Sequence, residues 1–178
     1  MILETNRLIL REFYPSDWRD LYEYLSKESV VKYEPYDIYD EEASKKEALY
    51  RSTAQCFWAV VLKDNNKVIG NIYFENQEPE EFGTWEIGYV FNPEYWRKGY
   101  ATESCQKILS YGFKELRARR IIAMCNPKNQ PSWRLLEGLN MRREGHLRKN
   151  IFFKKDEGGN PIWNDTYEYG ILAEEYEG

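Results

Sequence analysis

A chain of 178 residues, 42% hydrophobic and 16% aromatic, is long enough to bury a core of its own and is sized for one domain. Its formal charge of -5 at pH 7 argues against a general nucleic-acid binder, because neutralising phosphates takes a net basic surface or patch. No apolar run approaches the roughly 18 residues that span a bilayer, and three scattered cysteines with one histidine leave little basis for a disulfide framework or a metal site.

The N-terminal stretch MILETNRLILREF mixes acids with apolar residues and lacks the basic start, apolar core and cleavage site of a secretory signal, so the expected location is cytoplasmic. Within it, Arg7 to Phe13 alternate as a strand does. Pro15, Ser16 and Asp17 then open a helix carrying Trp18, Leu21, Tyr22 and Leu25 at helical spacing. A second helix is predicted from about Glu41 to Ala54, on the surface because its apolar stripe is thin. CFWAVVLK, the turn DNNK and VIGNIYFEN form a hairpin, with GTWEIGYVF as a third strand beside it. The next helix places Ala101, Cys105, Ile108, Leu109, Gly112, Phe113 and Leu116 on one face. RIIAMCN reads as a buried strand, SWRLLEGL as a short helix, and LRKNIFFKK and TYEYGILAEE as two strands around the loop DEGGNPIWND. Together these predict a mixed α/β sheet in a single domain, residues 1–178, with no repeats or linkers. Cys56, Cys105 and Cys125 sit in apolar periodic segments and read as structural thiols.

Chemistry is concentrated where WEIGYVFNP gives way to YWRKGYATES. A strand that feeds a helix leaves the first N–H groups of that helix unpaired and pointing at one spot, which suits an anion. Gly99 lets the backbone come close to a phosphate, Ala101 keeps the next inward position small, and Arg97 and Lys98 add charge at the rim. An ordinary surface turn with two solvated bases explains the same residues. Neither GxxxxGK[ST] nor GxGxxG is present, which removes the main support for nucleoside-triphosphate and dinucleotide folds.

The run Trp96-Arg97-Lys98-Gly99-Tyr100-Ala101 resembles motif A of the GNAT superfamily of acyl-CoA-dependent N-acyltransferases, with Trp96 where Gln or Arg is usual. Tryptophan there, together with NRLILREFYPSDWRDLYEYL, NPKNQPSWRLLEGLNMRREGHLR and WNDTYEYGIL, is similar to the ribosomal-protein N-acetyltransferase branch, so the resemblance spans nearly the whole chain. It implies a mostly antiparallel sheet flanked by helices, with a splayed pair of central strands. The implied reaction is acetyl transfer from acetyl-CoA to an amine acceptor, with no metal and with a homodimer as the common assembly.

By the same resemblance the backbone of Arg97, Lys98, Gly99, Tyr100, Ala101 and Thr102 holds the pyrophosphate, the main chain of Tyr89, Val90 and Phe91 pairs with the pantetheine arm, and Asn129 hydrogen-bonds it. Gly88 then marks either a bulge that opens the strands or a relief of crowding between Tyr89 and Trp85. Glu86 is the candidate base, acting directly or through water, against the plainer role of a solvent-facing glutamate. Ser132 is either the donor to the departing sulfur or, with Asn129, a helix cap. A backbone N–H near Val90 suits the oxyanion. Asn140-Met141 replaces the usual Gly-Phe, with asparagine tolerating a left-handed backbone and methionine filling the core. Asn150-Ile151-Phe152 lacks the acid that the ribosomal-protein enzymes place after LRK, which weakens a ribosomal-protein acceptor. His146 reads as a surface or strand-edge residue, and Trp58, Tyr73, Trp85 and Tyr33 as core before acceptor pocket. A non-catalytic acyl-CoA-binding module is the alternative function.

Overall fold

Eight segments rich in branched and aromatic residues join one sheet. In the computed structural model, which describes residues 1–176, they are β1 (Ile2–Glu4), β2 (Leu8–Arg11), β3 (Phe57–Leu62), β4 (Val68–Asn76), β5 (Thr84–Phe91), β6 (Arg120–Cys125), β7 (Arg142–Lys155) and β8 (Pro161–Leu172). The last two residues of the expected 1–178 domain lie outside the described residues. The strands are ordered β1-β2-β3-β4-β5-β6-β8-β7, antiparallel throughout except where β5 meets β6. Five helices complete the fold: α1 (Trp18–Leu25), α2 (Glu28–Val31), α3 (Glu41–Thr53), α4 (Tyr100–Lys114) and α5 (Gln130–Gly138). Among the described residues no helix is long and apolar enough to cross a membrane.

Alternation along the strands builds two cores, one on each face of the sheet. Trp58, Val60, Ile72, Phe74 and Ile87 point to one face and pack with Cys105, Ile108 and Leu109 of α4 and Leu136 of α5. Ala59, Val61, Val68 and Val90 point to the other and pack with Leu21, Tyr24 and Leu25 of α1, Val30 and Val31 of α2, and Ala48 of α3. α4 lies close against the sheet because residue 112 is glycine, and a Cβ there would come within 2.7 Å of the Phe74 ring. Between α4 and the next strand, Arg119 Nε donates to the Phe82 carbonyl at 2.8 Å, and Arg120, which opens β6, pairs with Glu144.

The central strands part without a bulge. β5 keeps unbroken antiparallel register with β4, Gly88 facing Tyr73, so the expected bulge at Gly88 is absent. On its other side β5 pairs with β6 only over Thr84 to Glu86, opposite Arg120 to Ile122. From Ile87 onward the two strands diverge, and the edge of β5 that faces β6 is left open.

Three further features differ from the sequence-based expectation. β1 and the single-turn α2 were not predicted, being too short to show a period. The segment DEGGNPIWND is a loop only over 156–160, because Pro161, Trp163 and Asn164 already pair with β7. The β7–β8 hairpin is therefore long, and β7 is an edge of the sheet. Its Leu147, Ile151, Phe152 and Phe153, with Ile162 and Trp163 of β8, are exposed.

Asn140 does adopt a left-handed backbone, φ 61°, and Met141 is buried in the core, as the substitution for Gly-Phe requires.

Candidate active site

The turn between β5 and α4 is built to aim amides outward. Arg97 at φ 59° and Gly99 at φ 80° are both left-handed, a backbone course that curls successive N–H groups toward one side. Glu103 N donates to the Gly99 carbonyl at 3.0 Å as the first helical bond, and the N–H groups from 97 to 102 have no protein partner among the described residues. Trp96 explains its own departure from the usual Gln or Arg. Its indole Nε1 donates to the Phe91 carbonyl at 2.8 Å, tying the turn back to the strand end. Arg97 and Lys98 are exposed at the rim, Lys98 Nζ lying 5.2 Å from the Tyr95 ring centre.

Arg7, which sequence reasoning did not single out, supports this turn from the other side. Its Nη1 donates to the Lys98 carbonyl at 2.9 Å, its Nη2 pairs with Glu103 at 2.6 Å, and its guanidinium lies 4.4 Å over the Tyr100 ring. Asn6, Arg7, Gly99, Thr102, Glu103 and Gln106 line an open concavity of about 560 Å³ at the head of α4. No sequence signal linked residues 7 and 103, because only the fold brings β2 beside α4.

Since β5 is unbulged, strict alternation puts Glu86 on the face of Gly88 and Val90, the face covered by α1 to α3. Glu86 is half-buried and stands directly opposite Glu75 on β4. Burial first, and then the Glu75 charge, hold the Glu86 carboxyl above the usual range. Tyr73, on the same face, donates its hydroxyl to Glu75, and its ring centre lies 5.6 Å from that of Phe57 at a tilt of 58°. Of the four aromatics, Trp58 is buried beside Tyr111, Trp85 stacks on Phe74 in the core, and Tyr73 and Tyr33 are half-exposed, Tyr33 OH donating to the Lys128 carbonyl at 3.3 Å. Nearby on the face under α3, Arg51 is 2% exposed, its Nε donating to Glu47 at 2.7 Å and its guanidinium 4.6 Å over Phe57. Burial pushes Glu34, at the start of the α2–α3 connection, up to about 7.

Glu75 was the second carboxylate that sequence reasoning missed. Its position opposite Glu86 depends on register across a connection of seven residues, 77–83, too long for turn type to set the pairing.

On the opposite face of the same strand, Tyr89 reaches out of β5 toward α5. Its hydroxyl donates to the Ser132 carbonyl at 2.9 Å and lies 3.1 Å from Ser132 Oγ. Asn129 begins α5 without a side-chain capping bond; its carbonyl accepts Ser132 N at 3.1 Å. Neither side chain caps the helix, which removes the plainer role weighed for Ser132. Cys125, at the end of β6, sits beside Ser132, and burial pushes its thiol up to about 11. Strand β5, helix α5 and the end of β6 thus bring Tyr89, Ser132 and Cys125 together across the parting of the sheet.

His146 lies on the exposed edge strand, Nε2 2.7 Å from Asp165 Oδ2, with Tyr167 of β8 between it and Cys125 in the same cross-strand row. Among the described residues no three His, Cys, Asp or Glu side chains are placed to hold a metal ion. The turn amides, the open edge of β5 and Ser132 fit an extended thioester substrate carrying a phosphorylated end. They are the groups that such a molecule needs: N–H donors for phosphate, main chain for an amide-bearing arm, and a hydroxyl for sulfur.

The sequence and the fold are both similar to those of known proteins. The sequence is 44% identical over 178 residues to the uncharacterized N-acetyltransferase YnaD of Bacillus subtilis (strain 168), covering 99% of each chain. The structure superposes on an acetyltransferase of the GNAT family from Bacillus anthracis with a TM-score of 0.88 and 41% identity, covering 98% of this chain and 100% of that one. In fold alone it also matches the ribosomal-protein-S5-alanine acetyltransferase of Vibrio fischeri, TM-score 0.79 at 21% identity, covering all of both chains. Residues 7–142 match the acetyltransferase (GNAT) domain, and the chain belongs to that family.

Proposed function

We propose that the protein transfers an acetyl group from acetyl-CoA to a primary amine, a protein N-terminus or a small-molecule amine, by direct attack while both substrates are bound. The observation carrying this is the parting of β5 from β6 beyond Glu86, which leaves an open strand edge leading to the free amides of the 97–102 turn. Acetyl-CoA supplies the activated acyl group. Arg97, Lys98, Gly99, Tyr100, Ala101 and Thr102 hold its pyrophosphate, Tyr89, Val90 and Phe91 bind its arm through their main chain, and Asn129 bonds further along it.

Glu86, directly or through one water, takes the proton of the attacking amine. Its raised affinity for a proton suits that task near neutral pH better than an ordinary glutamate would. A backbone N–H near Val90 stabilises the oxyanion, and Ser132 donates to the departing sulfur. A cytoplasmic location and a homodimer belong to the same proposal. The exposed apolar side chains of the β7–β8 hairpin support self-association, which sedimentation would detect.

The test is to mix the protein with acetyl-CoA and with spermidine, lysine, kanamycin or tripeptides with free N-termini, recording melting temperature and thiol release. Acetyl-CoA is expected to raise the melting temperature, and at least one amine class to release thiol above the rate of hydrolysis. An unchanged melting curve at saturating acetyl-CoA overturns the proposal. A raised melting temperature without turnover on any amine favours a non-catalytic acyl-CoA-binding module.

A further inference from the structure

The Tyr89 hydroxyl is committed to Ser132 in two ways. A phenol carries one proton, and the Ser132 carbonyl at 2.9 Å receives it. The phenol oxygen can then accept, and the contact at 3.1 Å is met by the Ser132 hydroxyl donating to it. Tyr89 comes from β5 and Ser132 from α5, so the pair bridges the two sides of the parted sheet at the end of the open edge. Burial keeps the phenol protonated far above neutrality, so Tyr89 can turn its proton but does not give it away.

We propose that Tyr89 is a positioning residue for Ser132, holding its hydroxyl at the leaving sulfur and exchanging the direction of one hydrogen bond as the thiolate departs. This rests on the acetyl transfer proposed above. Before attack, Ser132 donates to Tyr89. As the amine nitrogen bonds to the acetyl carbon and the C–S bond breaks, its electron pair passes to sulfur and the amine proton to Glu86. Ser132 then turns its hydroxyl proton to the sulfur, and Tyr89 turns its own from the Ser132 carbonyl to Ser132 Oγ. Neither hydroxyl loses its proton; Glu86 returns the amine proton to solvent, from which the thiolate is protonated. The exchange needs rotation of two O–H bonds and no movement of the backbone.

The test compares Tyr89→Phe, Ser132→Ala and the double variant, using acetyl-CoA with whichever of spermidine, lysine, kanamycin or an alanine-leading tripeptide turns over fastest. Phenylalanine keeps the ring and its packing, so melting temperature and KM for acetyl-CoA should stay near those of the unmodified protein. Its kcat is expected to fall roughly fivefold to tenfold, the worth of one hydrogen bond. Ser132→Ala should fall further, roughly a hundredfold, and the double variant should match Ser132→Ala alone, because Tyr89 acts only through the serine. Ser132→Thr, which keeps the hydroxyl, should recover most of the loss and restore sensitivity to Tyr89→Phe. Multiplying effects in the double variant, or an unchanged kcat in Tyr89→Phe, overturn the role of Tyr89 while leaving acetyl transfer standing. No turnover on any of the four amines by the unmodified protein overturns both.

Discussion

At the scale of single residues, the pairing of Glu86 with Glu75 is the most consequential contact. Burial first, and then the like charge of Glu75 directly opposite on β4, raise the proton affinity of Glu86. Because the folded protein binds that proton more tightly than the unfolded chain does, ionising Glu86 costs stability as pH rises. The same shift makes Glu86 a stronger base than an ordinary glutamate. A base works only when unprotonated, so kcat/KM should rise with pH through the Glu86 titration. Replacing Glu75 by Gln removes the second cause of the shift and should move that acidic limb to lower pH. Glu86→Gln should lower kcat roughly a hundredfold with KM for acetyl-CoA little changed. A limb that stays in place in Glu75→Gln, measured from pH 5 to pH 9, would mean that Glu86 is not the titrating base. Glu86 itself was legible in the sequence as a carboxylate on the strand beside the glycine turn, but its facing direction was not. Direction required knowing that Gly88 is unbulged, and a glycine in a strand is compatible with either state.

At the scale of elements, α4 is the unit that couples packing to binding. Its buried face of Cys105, Ile108 and Leu109 was readable from three-and-four spacing alone, and the structure bears that out. The glycine turn that opens it was visible in the sequence as well, but its residues alone left an anion cradle and an ordinary surface turn both open. What could not be read was its support: Arg7 from the approach to β2 and the Trp96 indole both brace the turn through carbonyls, contacts that only the tertiary fold creates. The division of labour between backbone and side chain can be tested on this element. Gly99→Glu should abolish the rise in melting temperature on adding acetyl-CoA. The new side chain must accept φ 80°, meets Arg7 at 3.3 Å from its Cβ, and brings a carboxylate to an anion site. Arg97→Ala leaves the amides in place and should weaken binding only severalfold, the worth of one exposed charge. If Arg97→Ala abolished the shift and Gly99→Glu retained it, the amides would not be the phosphate site. β1 and the tip of the β7–β8 hairpin escaped the sequence for two different reasons. β1 is too short to show a period, and Gly, Asn and Pro at the hairpin tip hide the alternation that resumes at Ile162.

At the scale of the whole molecule, the sheet is two sheets held by a narrow seam. β1 to β5 form an antiparallel block with α1 to α3 on one face, β6 to β8 form another, and among the described residues the only ladder between them runs from Thr84 to Glu86. Beyond the seam the blocks are linked by side chains, of which the Tyr89 hydroxyl on Ser132 is one. The order of strands and helices along the chain was legible because each element carries its own period, yet the seam is a relation between segments more than thirty residues apart and has no local signature. It follows that a ligand lying in the parting should act as a missing piece of sheet. Acetyl-CoA bound along the open edge would give hydrogen-bond partners to the backbone of β5 past Glu86 and hold the two blocks at fixed spacing. Amide hydrogen exchange measured with and without acetyl-CoA should therefore slow in 87–91, in 97–102 and at the end of β6, and stay unchanged at the tip of the β7–β8 hairpin, residues 151–164, which lies beyond the pairing of β8 with β6. Slowing confined to 97–102 would place the phosphates correctly but put the arm of the substrate elsewhere. Slowing spread evenly over both blocks would report general tightening of the fold, and the parting would then not be the channel that leads acetyl-CoA to Glu86 and Ser132.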